Sequence, residues 1–202
     1  MEDKFTKIYD KNIWGGGSGT GSKMSTHNKK YISFLEDVLH DKDKKIKTIC
    51  DIGCGDWQFS QFIDWSNYEY TGIDCVPSVI EKNLKDHKTE HVNFDCKVVD
   101  TNWSPEGYDL IIIKDVIQHW TDEDIMKYFT KILKDNKYVF CTNGFKFMRD
   151  PSKNALECRD INNKYSYHPV SKDKYPLNQF NDHLLSSKNY YAKQCNLYSL
   201  II

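Results

Sequence analysis

Two close glycines and a preceding acid form a compact group of residues in the stretch TICDIGCGDWQFSQFI, Thr48–Ile63. Gly53 and Gly55 lie between two apolar segments, and Asp51 comes just before them. That order is typical of a strand, a tight turn and a helix, and glycines in such a turn let the backbone approach a ligand closely. The stretch therefore predicts a ligand site at Gly53 and Gly55.

Three classes of ligand use such turns, and the neighbouring residues separate them. A dinucleotide site would place a third glycine where Gln58 lies, and a phosphate loop would continue with Gly-Lys-Ser/Thr, which the sequence does not contain. The turn has no cationic side chain, which suits a ligand without phosphates. Asp74 ends the next apolar segment, where a carboxylate can accept hydrogen bonds from both ribose hydroxyls. Asp100 ends the third segment, where a carboxylate can meet an adenine amino group.

A second group of residues follows the fourth apolar segment. Asp115 and His119 are four residues apart and share one face if a helical turn forms between them. An imidazole has an ordinary pKa near ~6.5 and can take a proton from an acceptor hydroxyl. The alternatives are that His119 packs against or caps the next helix, and that Asp115 is a turn or cap residue. His119, and after it Asp115, are the candidate catalytic residues.

Strand-like and helix-like segments alternate along the chain. The strands are predicted at Ile46–Ile52, Tyr68–Val76, Val92–Asp100, Tyr108–Val116 and Lys137–Gly144. Helical segments are predicted after the first strand (Trp57–Trp65), after the second with Pro77 at its start, and after the fourth with Thr121 as N-cap. Alternation of this kind indicates an α/β, Rossmann-like fold with a mostly parallel sheet and helices on both faces. Ligands of such sheets bind beyond the carboxyl ends of the strands.

From about Lys44 to Gly144 the chain resembles the class I S-adenosylmethionine-dependent methyltransferases, on the glycine turn, Asp74, Asp100 and the strand order. It departs from their pattern at Trp57, where that family often has a third glycine. SGTGS, DIGCGDW, YTGIDCVPSVIEKN and KDVIQHW are similar to small bacterial-type methyltransferases of polysaccharide or small-molecule tailoring, in which an aromatic residue after GCGD is usual. The resemblance implies S-adenosylmethionine as cofactor, with contacts from Asp51, Gly53, Gly55, Trp57, Asp74, Cys75, Asp100, Lys114, Ser18 and Ser22.

Two loops are expected on the acceptor side of the site. WGGGSGTGSK is a glycine-rich stretch that either closes over the cofactor or acceptor, with Trp14 against the acceptor, or is a disordered tether. It precedes MSTHNKKYISFLEDVL, a predicted amphipathic helix. A long polar and aromatic segment after Gly144 is predicted to cover the acceptor, and Arg159 within it can pair with an acidic acceptor group or with a surface acid. The final NYYAKQCNLYSLII predicts one or two strands, which in the resembled fold would be the closing antiparallel hairpin.

Composition limits the remaining possibilities. The 202 residues suit one domain, divided into an N-terminal loop and helix (1–43), a cofactor-binding core (44–144) and an acceptor-side loop with closing strands (145–202). A net charge of −1 offers no large positive field for nucleic acid, which is therefore not expected as a partner. No apolar run suits a membrane span, the polar start is no signal peptide, and the seven cysteines lack a CxxC pair. We expect a cytoplasmic protein with reduced thiols, no bound metal and no membrane contact.

The sequence thus predicts an S-adenosylmethionine-dependent methyltransferase acting on a small hydroxylated or amine-bearing acceptor, with a sugar suggested by the resemblance. An RNA or cap methyltransferase is the second hypothesis, which the scarcity of arginine and the near-neutral charge disfavour. A third is a catalytically inactive, cofactor-binding partner subunit. The acceptor atom and the oligomeric state stay open.

Overall fold

The computed structural model describes residues 2–19, 21–100, 103–145 and 169–200. Seven strands form one sheet in the order β3-β2-β1-β4-β5-β7-β6. They are β1 (Thr48–Ile52), β2 (Glu69–Asp74), β3 (Val92–Cys96), β4 (Leu110–Lys114), β5 (Tyr138–Gly144), β6 (Leu184–Tyr190) and β7 (Lys193–Tyr198). Strands β1 to β5 pair in parallel, and β7 runs antiparallel between β5 and β6. The predicted Rossmann-like sheet and its antiparallel hairpin are confirmed.

Four α-helices accompany the sheet within the described residues. They are α1 (Glu2–Asp10), α2 (Thr26–Leu39), α3 (Pro77–His87) and α4 (Asp122–Asp135). Pro77 occupies the first turn of α3, and the Thr121 hydroxyl accepts a hydrogen bond from the Asp124 amide at 3.1 Å as the N-cap of α4. Both helix starts were predicted correctly. The N-terminal helix α1 was not predicted, although Phe5, Ile8 and Tyr9 recur at helical spacing and give it one apolar face.

Both faces of the sheet are buried at its central strands, which explains their apolar sequences. Leu110, Ile111, Ile112 and Ile113 of β4 are all buried. Alternate residues along a strand point to opposite faces. One face accordingly packs in a cluster with α2 and the aromatic residues after β1, and the other packs against α4. The two clusters hold the carboxyl ends of β1, β2 and β4 side by side at one end of the sheet.

The segment after β1 differs from its prediction. In place of a helix over Trp57–Trp65, the structure has one 3₁₀ turn, Ser60–Phe62. Trp57 has a left-handed backbone (φ 56°), which a helix cannot continue through. Its indole donates to the Tyr70 hydroxyl at 2.9 Å, and the Trp65 indole donates to the Ser60 carbonyl at 2.9 Å. Buried aromatic side chains with hydrogen-bonded indoles therefore set the backbone of this segment.

Candidate active site

A cavity of about 540 Å³ lies beyond the carboxyl ends of the parallel strands. Its floor comes from the turn after β1, the end of β2 and the turn after β4. Helix α1 and the glycine-rich loop around Ser18 form the opposite wall, and Lys193 at the start of β7 closes one side. The volume is in the range of cavities that hold a cofactor or a small ligand. Its place agrees with the ligand position expected for an open parallel sheet.

Glycine is required at positions 53 and 55 because neighbouring residues occupy the space that a side chain would need. Gly53 has φ +71°, and a Cβ there would lie 2.4 Å from Cγ2 of Val116. Gly55 has φ +56°, and a Cβ there would lie 2.3 Å from the Ser18 hydroxyl oxygen. A side chain at either position would strain the backbone and displace a neighbour. Both glycines line the cavity, so the backbone of the turn is open to a ligand.

Asp74 lies at the end of β2 and faces the same cavity. The amide of Gly55 donates to its Oδ2 and the amide of Val76 to its Oδ1, each at 3.1 Å. Burial raises the pKa of Asp74, while these two amides act in the opposite direction. Cys75 also lines the cavity, and burial raises its thiol pKa to about 12. The carboxylate is thus held in one orientation, with a neutral thiol beside it.

The glycine-rich loop is docked onto the motif turn. The amide of Ser18 donates to Asp56 Oδ2 at 3.0 Å, and the amide of Asp56 donates to the Ser18 hydroxyl at 2.9 Å. The same hydroxyl is 2.6 Å from the hydroxyl of Tyr9 on α1. This reciprocal pair joins α1, the loop and the turn, and we name it the Ser18–Asp56 latch. Ser18 and Ser22 line the cavity, and their contact with a cofactor stays a prediction.

A charged triad forms the wall near β4 and β7. The Asp115 carboxylate forms salt bridges with two lysines. Lys114 Nζ lies 2.9 Å from Oδ2, and Lys193 Nζ contacts Oδ1. Burial alone would raise the pKa of Asp115, but the two lysines hold it well below its usual range. Lys114 also donates to the carbonyl of Gly21 at 2.9 Å. A carboxylate so strongly paired is a weak base, so its place favours a structural role over proton transfer.

His119 lies at the end of the 3₁₀ turn Ile117–His119 that follows β4. Its ring stacks on Trp14, with centroids 6.2 Å apart and planes inclined at 25°, and meets Phe5 edge-on at 5.6 Å. All three rings line the cavity. Trp14 and His119, predicted on separate grounds, are therefore brought together, with Phe5 of α1 as a third member. We call these three residues the aromatic wall.

Three of the residues predicted to contact cofactor lie away from the cavity lining. Asp51 is 6% exposed and accepts from the Tyr70 hydroxyl at 2.6 Å, and the same hydroxyl accepts from the Trp57 indole. Both side chains lie in the core behind the turn, where they support it. Asp100 pairs with Trp103 in an isolated bridge, and Val99 takes its place in the lining. Arg159 lies outside the described residues.

Several residues of the cavity lining were not predicted from the sequence, and Phe5, Tyr9, Gln118 and Lys193 are the ones that bear on its chemistry. Phe5 and Tyr9 lie in α1, whose position against the turn has no local signal. Lys193 reaches the site because β7 inserts beside β5, a pairing that spacing along the chain does not specify. Gln118 was inside the quoted motif KDVIQHW and could have been found there. No group of three His, Cys, Asp or Glu side chains is placed for a metal ion among residues 2–19, 21–100, 103–145 and 169–200.

Strand order, glycine turn and cavity together define the class I methyltransferase fold, and comparisons with known proteins agree. Residues 50–137 match the model of a methyltransferase domain. Malonyl-[acyl-carrier protein] O-methyltransferase of Acetivibrio thermocellus is 27% identical over 120 residues, which are 57% of this chain and 42% of that protein. The chain thus matches less than half the length of this relative.

Solved structures extend the likeness in fold to nearly the whole chain. N-methyltransferase NodS from Bradyrhizobium japonicum WM9, solved with S-adenosyl-L-homocysteine, gives a TM-score of 0.67 at 12% identity, over 95% of this chain and 97% of that one. Magnesium protoporphyrin IX methyltransferase ChlM from Synechocystis PCC 6803, also with S-adenosyl-L-homocysteine, gives 0.61 at 13% identity, over 96% and 92%. The comparisons thus confirm a methyltransferase domain at residues 50–137 and the predicted Rossmann-like methyltransferase fold around it.

Proposed function

We propose that this chain transfers a methyl group from S-adenosylmethionine to an oxygen or nitrogen of a small hydroxylated or amine-bearing acceptor. The observation that carries the proposal is the cavity itself. One end has backbone and a carboxylate at Gly53, Gly55 and Asp74, while the other has the aromatic wall and His119. We infer that the first end binds the cofactor and the second takes up the proton, both in one cavity.

The residues present fit the cofactor. Asp74 has a second lone pair on each carboxylate oxygen beyond those taken by the amides of Gly55 and Val76, so it can accept the two ribose hydroxyls. Gly53 and Gly55 line the cavity with backbone, which lets the nucleoside and the methionine part of the cofactor come close to the turn. Cys75, Lys114, Ser18 and Ser22 complete this end. Asp51 and Trp57 support it from the core, and Asp100 remains a proposed adenine contact.

Bound S-adenosylmethionine supplies an electrophilic methyl group on a sulfonium. The chain contributes position, exclusion of water and a proton acceptor. His119 accepts the proton that the acceptor heteroatom loses as its lone pair forms the new bond to carbon. Asp115 stays ionised and forms salt bridges with Lys114 and Lys193. Its proposed role is to hold these two lysines in place in the cavity wall. Trp14 provides a flat surface for the acceptor, and a sugar ring is one acceptor that such a surface suits. Arg159 remains a proposed contact to an acidic acceptor group.

Charge and cavity size support a small acceptor. A net charge of −1 gives little attraction for an RNA backbone, and the cavity of about 540 Å³ is the size of a cofactor with a small molecule. Within the described residues, no helix is both long and apolar enough to cross a membrane.

Calorimetry followed by a transfer assay tests the proposal. S-adenosylmethionine and S-adenosylhomocysteine should bind, with NAD and ATP much weaker. Tritiated cofactor should then label a member of a panel of amino sugars, neutral sugars, phenols and amines, with a short RNA as the competing acceptor class. Tighter binding of NAD would contradict the cofactor assignment. Cofactor binding without transfer to any acceptor would support an inactive partner subunit, and labelling of the RNA alone would support the second hypothesis.

A further inference from the structure

Gln118 is a buried polar side chain in the cavity wall that the proposed mechanism does not use. It lies in the turn Ile117–His119, is 7% exposed and lines the cavity. Its carboxamide oxygen Oε1 is buried and has no hydrogen-bond partner among the residues that the structure describes. A buried amide oxygen left unpaired is costly to the fold. Among the buried side-chain atoms without a partner in the described residues, Gln118 Oε1 is the one whose residue lines this cavity.

The position of Gln118 is fixed on both sides. Ile117 before it is completely buried in the core under β4, and His119 after it belongs to the aromatic wall. The backbone between them is closed by a hydrogen bond from the His119 amide to the Val116 carbonyl at 3.0 Å. A side chain held in a short, anchored turn loses little entropy when it binds a ligand, so its free oxygen is well prepared for a donor.

Which ligand supplies the donor follows from the order of strands. Of the proposed cofactor contacts, Gly53, Asp74 and Cys75 come from the ends of β1 and β2, while Lys114 ends β4 and is held in the salt bridge with Asp115. Gln118 follows β4, on the other side of β1 in the order β3-β2-β1-β4-β5, next to the aromatic wall. The methyl acceptor must approach the methyl group from the side that faces away from the rest of the cofactor. Gln118 is therefore expected to lie closer to the acceptor than to the cofactor.

We propose that Gln118 recognises the methyl acceptor, accepting on its carboxamide oxygen a hydrogen bond from an O–H or N–H group of a ring-shaped molecule lying against the aromatic wall. This inference rests on the proposed function. The amide oxygen is too weak a base to take the proton, so Gln118 binds the acceptor and His119 keeps its separate part. The acceptor class is thereby narrowed to rings that carry a protic group.

Matched pairs of fragments test this recognition. Phenol with anisole, and indole with N-methylindole, are titrated by ligand-observed NMR against protein saturated with S-adenosylhomocysteine. The wild type should bind each protic member at least about 10-fold tighter, since its methylated partner leaves the oxygen unpaired. Gln118→Leu should abolish that preference and keep the affinity for S-adenosylhomocysteine. Gln118→Glu should retain the preference because it keeps an acceptor oxygen, and Gln179→Leu, which alters an exposed amide outside the cavity, should behave as wild type.

Each other outcome contradicts the proposal in a recognisable way. A wild type that binds both members equally, or neither, overturns it. A loss of S-adenosylhomocysteine affinity in Gln118→Leu would assign the residue to the cofactor. A lower melting temperature with the preference intact would indicate a structural partner. Failure of the wild type to bind S-adenosylhomocysteine would contradict the proposed function as well, whereas equal binding of the fragments contradicts this proposal alone.

Discussion

The two ends of the cavity are built in different ways. The proposed cofactor end uses backbone: glycines at Gly53 and Gly55, and a carboxylate, Asp74, that two amides orient. The proposed acceptor end uses side chains that come from distant parts of the chain, with Phe5 and Trp14 meeting His119. A shared cofactor calls for a fixed backbone, while changes of side chain alone can adapt the other end to a different acceptor. Substitutions at the two ends should therefore separate binding from turnover.

The largest effect is expected at the acceptor end. His119→Ala should lower turnover by about 10²–10⁴-fold, the usual contribution of a general base, with cofactor affinity unchanged. In the wild type the rate should rise with pH as the imidazole becomes neutral, since only that form accepts a proton. Steady-state rates with the acceptor found by the screen, measured between pH 5 and pH 9, check both statements.

The exposed His40, outside the cavity, provides the matched control, and His40→Ala should leave both rate and pH profile unchanged. If His119 packs or caps instead, His119→Ala should lower the melting temperature and keep the rate per folded molecule. A stable His119→Ala with near-normal turnover would contradict both roles.

A second effect, on the pH dependence of stability, is expected at Asp51, whose carboxylate is buried in the core behind the glycine turn. Burial raises the pKa of Asp51 to about 7, against the lowering effect of the Tyr70 hydrogen bond. Between the unfolded pKa near ~3.9 and the folded value the native state holds the extra proton, so its stability falls as pH rises through that window. Asp51→Asn should therefore gain stability over wild type from pH 4 to pH 7, on the order of 2–4 kcal/mol in full.

Urea unfolding at closely spaced pH values measures that difference. The amide oxygen introduced by Asp51→Asn can still accept from Tyr70, so the variant isolates the charge. Asp86→Asn is the control: Asp86 is exposed, and its hydrogen bond from Lys82 holds its pKa below the ordinary value, so its trend should have the opposite sign. A difference between Asp51→Asn and wild type that does not change with pH would show that Asp51 is ionised in the core throughout.

At the cofactor end, Asp74→Ala should weaken S-adenosylhomocysteine binding by roughly 1.5–3 kcal/mol, the scale of charge-assisted hydrogen bonds. Acceptor affinity of the saturated protein should not change, which is the reverse of the pattern at His119. Calorimetry measures the loss, and Asp86→Ala supplies a surface control. Unchanged affinity in Asp74→Ala would remove Asp74 from the ribose role and blur the distinction between the two ends.

What the sequence could predict follows the same division. Gly53, Gly55 and Asp74 are near one another along two consecutive strands, so local pattern was enough to place them together. The five parallel strands were visible as apolar runs because both sheet faces are buried. The aromatic wall was harder, because the position of Phe5 depends on how α1 packs against the turn, a tertiary contact without local signal.

Side-chain anchors also overrode local pattern in the core. Trp57 and Trp65 lie in the segment that was predicted to be helical. Their indoles hydrogen-bond to Tyr70 and to Ser60, and those bonds hold the backbone in a non-helical path. Asp51 looked like a ligand contact for a related reason: the motif gives its place next to the turn, but not that Tyr70 would occupy its carboxylate.

The smallest effect is expected at the latch that joins the two ends. Ser18→Ala removes the hydroxyl that accepts from the Asp56 amide and pairs with Tyr9, and should cost about 1 kcal/mol of local stability. The glycine-rich loop 15–22 should then be cleaved faster by a protease, while Ser186→Ala, which alters an exposed serine on β6, should be cleaved like the wild type.

S-adenosylhomocysteine should slow cleavage in wild type, because loop residues Ser18 and Ser22 line the cavity that it is expected to fill. If the ligand leaves wild-type cleavage unchanged, the loop is a tether and takes no part in closing the site. If Ser18→Ala is cleaved no faster than wild type, the loop is held by the remaining bond from the Ser18 amide to Asp56, and the hydroxyl is dispensable.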